Sequence, residues 1–257
     1  MILVHSPLEQ FEVINLISLN LPVLGYFNIT LTNLALYSFI VLFVVIILHL
    51  SFKGTGSNNT KLIPSKWNIA LESSYASISA IVREQIGVRN EIYLPFIYSL
   101  FFFILISNLI GNTPYSFTIT TSIILAVGLS FTIFIGVTLI GLFKHGIHFF
   151  SFFIPSGTPL ALVPLLVLIE VTSYLARALS LGVRLFANMC AGHTLLKILS
   201  TFLYQLFSSS LIIGILTLIP FSIFISLIGL EIAVSIIQAY VFILLTCSYI
   251  RDSIQLH

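Results

Sequence analysis

The chain carries a line of charged and amide side chains inside one of its most apolar stretches. Glu170, Arg177 and Arg184 follow one another at intervals of seven residues, and Asn188 comes four residues later. Seven steps of about 100° return to within about 20° of the starting direction, so in a helix these side chains form one polar stripe. Because a central arginine costs roughly 3 kcal/mol at membrane depth, the stripe indicates a functional site on an ion or proton path.

A second polar stripe lies on the last apolar segment, where Glu231, Ser235 and Gln238 share a helix face. Arginine stays protonated, so Arg184 can attract a carboxylate or repel a travelling proton but cannot relay one by titrating. A carboxylate in a low-dielectric site has its neutral form favoured, so Glu231 can take up and release protons. A fixed cation together with the titratable Glu231 and His193 suits proton translocation.

Part of this pattern also has a purely structural explanation. Glu170 and Arg177 can form a buried ion pair that only fixes helix packing. That explanation does not suit Arg184, because no acidic residue lies within two turns of it on its own helix.

The remaining polar residues of the apolar segments give weaker signals. His145 and His148 are three residues apart, but nothing nearby completes a metal site, so we expect either a structural role or one at a channel mouth. Asn108 and Asn112 are interpreted as turn residues in preference to channel-lining residues, and both would lie near the outer face. We predict no metal site and no bound cofactor.

The composition is that of an integral membrane protein. Of 257 residues, 58% are hydrophobic and 7% are charged, whereas a soluble domain has about 25% charged residues. A net charge of +2, without a basic cluster interleaved with aromatic residues, argues against a nucleic-acid partner. Cys190 and Cys247 both lie in apolar segments and indicate neither a disulfide framework nor a metal site.

The fold class predicted is all-α, with about five membrane-crossing helices and one surface helix in a single membrane domain over residues 6–257. A crossing needs about 20 apolar residues. The predicted crossings are residues 31–50, 92–110, 117–143, 165–207 and 211–249. Residues 67–87 have apolar positions at helical spacing but are too polar to span, which predicts an amphipathic helix on the membrane surface, anchored by Trp67.

The last two crossings are longer than a bilayer requires, so we predict a tilted hairpin with its turn at residues 208–210. Proline is expected to prevent one continuous helix over residues 149–164 and to interrupt the last segment at Pro220.

Charge bias predicts the orientation. Five of the ten basic residues lie between the first two crossings: Lys53, Lys61, Lys66, Arg83 and Arg89. The positive-inside rule places that connection on the inner face, so the N-terminus is outside. Five crossings then place Lys144 and Arg251 on the inner face too.

The run from Arg184 to His193 resembles a known family signature, that of subunit a of the rotary (F-type) ATP synthase in its mitochondrial form. The matching positions are Arg184, Leu185, Asn188, Ala191, Gly192 and His193. Further matches are residues 114–117, 149–159, 230–240 and 248–252, together with His257. The resemblance covers nearly all of residues 90–257. Bacterial relatives tend to carry Glu at the position of His193 and His at that of Glu231, so this chain has the mitochondrial arrangement.

The resemblance implies a proton-translocating stator subunit that sits against a ring of c subunits. Two aqueous half-channels would open to opposite sides of the membrane, and Arg184 would separate them. Its charge would attract each deprotonated ring carboxylate as that carboxylate moves past Arg184. Protons would reach the ring through Glu231, with His193 and Gln238, and Glu170 and Arg177 would lie toward the matrix exit. The residues so placed on the proton path are Arg184, Glu231, His193, Gln238, Asn188, Glu170 and Arg177.

The resemblance also implies partners and a location. The partners would be the c-subunit ring, the peripheral stalk, other membrane-sector subunits and the lipid bilayer of the mitochondrial inner membrane. Residues 6–11 look like the mature start of fungal members, so residues 1–5 would be a short cleaved leader. The chain has no Gly-rich phosphate-binding loop, and we expect it not to be catalytic alone.

Two other classes are the alternatives. A secondary transporter or respiratory-chain antiporter subunit would use Arg184 to bind an anionic substrate, but such proteins often contain inverted repeats, and the sequence shows none. A purely structural membrane anchor would leave Arg184 and Glu231 unexplained.

Overall fold

The computed structural model describes residues 6, 8–20, 28–50, 66–113, 116–153, 162–209 and 217–255. Six α-helices follow a short β-hairpin. The strands are β1 (Asn15–Asn20) and β2 (Asn28–Thr32). The helices are α1 (Asn33–Leu50), α2 (Lys66–Gln85), α3 (Leu94–Gly111), α4 (Ile123–His145), α5 (Val163–Ser209) and α6 (Leu218–Ile254).

Five helical segments are long and apolar enough to cross a membrane, and they include α1, α3, α4, α5 and α6. This confirms the prediction of an all-α membrane protein with about five crossings. The predicted leader, residues 114–115 of the first matched motif, and Pro155 and Pro159 lie outside the described residues, as does most of the connection between α5 and α6.

The N-terminal hairpin was not predicted from the sequence. Strands β1 and β2 pair antiparallel, with Ile17 opposite Leu31. The side chain of Asn33 joins this region to α1, because its Nδ2 donates to the carbonyl of Glu12 at 3.0 Å and its Oδ1 accepts from the amide of Leu34 at 2.8 Å. An amide side chain at a helix start satisfies a backbone N–H that has no partner within the helix.

Pro220 was predicted to interrupt the last apolar segment, of which residues 211–216 lie outside the described residues. It lies in the first turn of α6, which begins at Leu218 and runs without a break to Ile254. The N–H groups of a first turn have no partner within the helix, so proline costs little there. Pro164 has the equivalent position in α5, which begins at Val163.

The α2 helix has the amphipathic character that its sequence predicts. Leu71, Ile78 and Val82 are buried, whereas Trp67 at its N-terminus is half exposed. Arg83 near its C-terminus pairs with Glu91 at 2.8 Å, which ties α2 to the short 3₁₀ helix before α3.

The chain forms two compact units. The first comprises residues 1–47, 103–122 and 185–238, and the second comprises residues 48–102, 123–184 and 239–257. Both α5 and α6 contribute to each unit: α5 belongs to the second unit through Arg184, and α6 belongs to the first through Gln238. The polar side chains singled out above therefore fall into two groups.

Candidate functional site

The first unit contains a buried histidine and carboxylate within contact of each other. His193 of α5 and Glu231 of α6 approach to 3.3 Å between Nδ1 and Oε1, and their side chains are only 13% and 8% exposed. A buried carboxylate is costly unless it is paired or protonated, so the two residues stabilise each other in this environment.

Gly192 provides the space for this pair. A Cβ atom at residue 192 would lie 2.9 Å from Oε1 and 3.3 Å from Cδ of Glu231. Contacts that short do not occur without a shift of one partner, so a larger residue would push the carboxylate aside. The close contact with Glu231 therefore explains why the motif has glycine at residue 192.

A third residue completes the environment of His193. The hydroxyl of Thr118, in the segment between α3 and α4, lies 3.1 Å from Nε2 of His193. Thr118 is buried, and its γ-methyl group lies where a Cβ on Gly111 would be. Thr118 was not predicted as a site residue, because its one signal in the sequence is its position directly after a matched motif.

Two asparagines reach the same region from the end of α3. Asn108 lies within α3, contrary to its interpretation as a turn residue, whereas Asn112 lies in the turn directly after Gly111, as predicted. Asn108 is fully buried within α3, and its Nδ2 donates to the carbonyl of Ser235 at 3.3 Å. Nδ2 of Asn112 donates to Oγ of Ser235 at 2.9 Å. The amide oxygens of both asparagines are buried and lack a hydrogen-bond partner among the described residues. Buried polar atoms are normally satisfied, so these two oxygens indicate a place for water.

Asn188 and Gln238 also meet within the first unit. Nδ2 of Asn188 donates to Oε1 of Gln238 at 3.0 Å. Gln238 is buried and Asn188 is exposed. A direct hydrogen bond between Asn188 and Gln238 thus joins the polar stripe of α5 to that of α6.

A groove of about 360 Å³ lies between α5 and α6 in this unit. Its walls are mostly apolar side chains, four of them leucines, and Asn188, Gly192 and Glu231 contribute to its lining. A largely apolar groove with a carboxylate at its wall can receive an apolar helix while leaving one titratable group within reach.

The second unit contains the other charged group. Arg177 pairs with Oδ2 of Asp252 at 3.2 Å and lies 3.9 Å from Oε1 of Glu170. All three side chains are about one third exposed. The hydroxyl of Tyr249 donates to the carbonyl of Arg177 at 3.4 Å. Asp252, which the sequence analysis noted only as part of a motif, is the closer partner of Arg177.

Arg184 differs from Arg177 because it makes no hydrogen bond or ion pair with the described residues. Its side chain is exposed, while Gly182, on the opposite side of α5, is buried. Gly182 packs so closely on α4 that a Cβ there would lie 2.6 Å from Oγ of Ser130 and 2.9 Å from the carbonyl oxygen of Ala126. This close approach fixes the rotation of α5 and leaves Arg184 on the outward face.

His145 at the end of α4 has a structural contact. Nε2 of His145 lies 3.0 Å from the carbonyl oxygen of Ile254, near the C-terminus of α6. No group of three or more His, Cys, Asp or Glu residues that could hold a metal ion occurs in the described part of the chain.

The comparison with protein families decides the identity of these groups. Residues 35–251 match the family described as ATP synthase A chain. The chain belongs to this family. The resemblance seen in the sequence is thereby confirmed, and the transporter and structural-anchor alternatives are set aside.

Fungal relatives match over almost the whole length. An ATP synthase subunit a of Mycosarcoma maydis is 67% identical over 255 residues, which is 99% of this chain and 99% of the relative. Those of Emericella nidulans and Kluyveromyces lactis are 49% and 47% identical, over 98% and 99% of this chain and 97% and 98% of their own length.

Family membership establishes the general activity. The chain is the proton-translocating subunit of the ATP synthase membrane sector and a multi-pass protein of the mitochondrial inner membrane. It is not catalytic by itself.

Proposed function

We propose that the chain forms two aqueous half-channels against a c-subunit ring and couples proton flow through them to ring rotation and ATP synthesis. The observation that carries this proposal is the buried pair of His193 and Glu231 at 3.3 Å. A histidine and a carboxylate in contact at membrane depth form a proton relay, because each can hold the proton that the other releases.

One half-channel leads to this pair. The unpartnered amide oxygens of Asn108 and Asn112 supply acceptors for water beside Ser235, whose hydroxyl donates to the backbone carbonyl of Glu231 at 2.8 Å. Water held there passes protons to Glu231 and His193. The hydrogen-bonded pair of Asn188 and Gln238 lines the same path.

Arg184 separates the half-channels. Its exposed guanidinium is permanently charged and makes no ion pair with the described residues, so it is available to a carboxylate from outside this chain. A deprotonated ring carboxylate is attracted to Arg184 as it passes, and a proton travelling directly between the half-channels is repelled by the same charge.

The second half-channel opens at Glu170 and Arg177, with Asp252 as an additional member. These side chains are about one third exposed, which fits a water-filled exit. Salt bridges in contact with water exchange partners at little cost, so protons leave without being trapped.

The partners and orientation follow from the same proposal. The groove between α5 and α6 faces a helix of the c ring, and the peripheral stalk and the remaining membrane-sector subunits hold the chain in place. The N-terminus lies in the intermembrane space and the C-terminus in the matrix, with α2 as a surface helix on the matrix side and α5 and α6 as a tilted hairpin. Residues 1–5 are removed as a leader.

Substitution of Arg184 tests the proposal. Arg184→Ala should abolish proton-driven ATP synthesis while a native gel stained for ATP hydrolysis still shows the assembled complex with its proteolipid ring. Normal synthesis in this variant would remove Arg184 from the mechanism. Migration of the unmodified chain apart from any ATP-hydrolysing particle would contradict the proposed partners.

A further inference from the structure

The hydroxyl of Thr118 lies 3.1 Å from Nε2 of His193, on the opposite side of the imidazole from Glu231. The segment between α3 and α4 holds this threonine firmly. Thr118 is 4% exposed, and the hydroxyl of Thr121 donates to its carbonyl at 2.6 Å. Its γ-methyl group fits against Gly111, where a Cβ would collide with it.

The Glu231 carboxylate and the Thr118 hydroxyl face different nitrogens of the His193 imidazole. Nδ1 of His193 lies 3.3 Å from Oε1 of Glu231, a contact in which Oε1 does not yet accept a hydrogen bond from the described residues. An ionised carboxylate only accepts hydrogen bonds, so while Glu231 is ionised the favourable arrangement has the hydrogen of His193 on Nδ1, facing the carboxylate. In the neutral imidazole Nε2 is then an acceptor, and the Thr118 hydroxyl donates to it. When His193 gains a proton, Nε2 donates instead, and the same hydroxyl rotates to accept.

The other contacts that His193 makes with the described residues do not supply this function. The ring of Phe11 lies 6.4 Å away, centroid to centroid, and meets the imidazole edge-on. Glu231 on α6 occupies Nδ1. A hydroxyl at Nε2 is suited to both protonation states, whereas a fixed donor or a fixed acceptor would favour one of them.

We propose that Thr118 is a positioning residue for proton transfer, which holds the Nδ1–H of His193 toward Glu231 and satisfies Nε2 in both protonation states of the ring. This inference rests on the proposed function, in which His193 and Glu231 carry protons. Gly111 has the supporting role of providing space for the threonine methyl group.

Three variants of the assembled ATP synthase test the inference. Thr118→Val keeps the shape and the methyl contact with Gly111 but removes the hydroxyl, and should lower proton-driven ATP synthesis about tenfold, the scale of one lost hydrogen bond to a charged group. Thr118→Ser keeps the hydroxyl and should retain most of the activity. Thr132→Val is the control, because Thr132 is exposed in α4 and its hydroxyl donates to the backbone carbonyl of Gly128 at 2.7 Å, so synthesis should not change.

A second measurement distinguishes positioning from a merely structural role. The rate of ATP-driven proton pumping is compared in H₂O and D₂O. If proton transfer between His193 and Glu231 limits the rate in Thr118→Val, the H₂O/D₂O rate ratio should rise in that variant. In Thr118→Ser the ratio should stay at the value of the unmodified protein. A lower rate with an unchanged ratio, or normal synthesis in Thr118→Val, would overturn the inference.

Two further comparisons keep the result decisive. If the Thr118→Val complex does not assemble on a native gel, Thr118→Ala is compared with Thr118→Ser by the same isotope ratio. His193→Gln is measured in parallel: impaired synthesis there with normal synthesis in Thr118→Val removes only the role of Thr118. Normal synthesis in His193→Gln removes His193 from the proposed function and Thr118 with it.

Discussion

Nδ1 of His193 lies 3.3 Å from Oε1 of Glu231, although the two residues come from different helices. Both side chains are almost completely buried, so water contributes little to their stabilisation and each depends on the other. Gly192 on α5 leaves room for the Glu231 carboxylate, because it has no Cβ. On α6 the hydroxyl of Ser235 donates to the backbone carbonyl of Glu231. The pair is the part of the structure on which proton transfer depends most directly.

Replacement of Glu231 by glutamine should slow proton transfer strongly. The amide has the same shape but cannot take up and release a proton, so we expect proton-driven ATP synthesis to fall by about 100-fold, the usual contribution of a positioned acid or base. ATP hydrolysis by the uncoupled complex should remain measurable. Glu72→Gln, on the exposed face of α2, is the matched control, and equal effects of both substitutions would contradict the assignment.

Replacement of Gly192 by alanine should act through Glu231. The new Cβ would lie 2.9 Å from Oε1, so the carboxylate must move away from His193, and we expect ATP synthesis to fall while the complex still assembles. The measurement compares ATP synthesis with the amount of complex on a native gel. Gly136→Ala in α4 is the control, since a Cβ there meets nothing within 4 Å. Unimpaired synthesis in Gly192→Ala would show that Glu231 tolerates the shift.

Replacement of Gly182 by alanine should weaken the packing of α5 on α4. Two of the atoms that a Cβ would meet, the carbonyl oxygen of Ala126 and Cα of Val127, belong to the backbone and lie at 2.9 Å. Backbone atoms cannot relieve a clash by a rotamer change, so α5 and α4 must move apart. Overpacking of this kind costs about 1–3 kcal/mol. A lower dissociation temperature of the complex would be the expected result, with Gly136→Ala again unaffected. Unchanged stability in Gly182→Ala would show that the close approach is not required.

The ion pairs of Arg177 should differ in strength. Asp252 lies at 3.2 Å and Glu170 at 3.9 Å, so a double-mutant cycle should give the larger coupling energy for Arg177 with Asp252. Both pairs are about one third exposed, so we expect coupling of only about 0.2–1 kcal/mol. The cycle combines Arg177→Gln with Asp252→Asn or Glu170→Gln and measures the dissociation temperature of the complex. Stronger coupling to Glu170 would reverse the assignment.

Asn108 shows where sequence reasoning fell short. Its neighbourhood of glycine and proline favoured a turn, yet it is fully buried within α3 and contacts Ser235 of α6. A single asparagine has the same sequence signal in a turn and in a buried helix, because its amide can bond to local backbone or to a distant carbonyl. Only the packing of α3 against α6 distinguishes the two.

The sequence by itself determined that the chain crosses a membrane, that it does so with five helices, and that Arg184 lies on a polar face of one of them. These properties depend on hydrophobicity, helical periodicity and side-chain charge, which are local. The tertiary structure decided that His193 meets Glu231 and Thr118, and that Arg177 pairs more closely with Asp252 than with Glu170. Such contacts depend on how each helix is rotated and how closely it approaches the next, and side chains from distant parts of the chain set both.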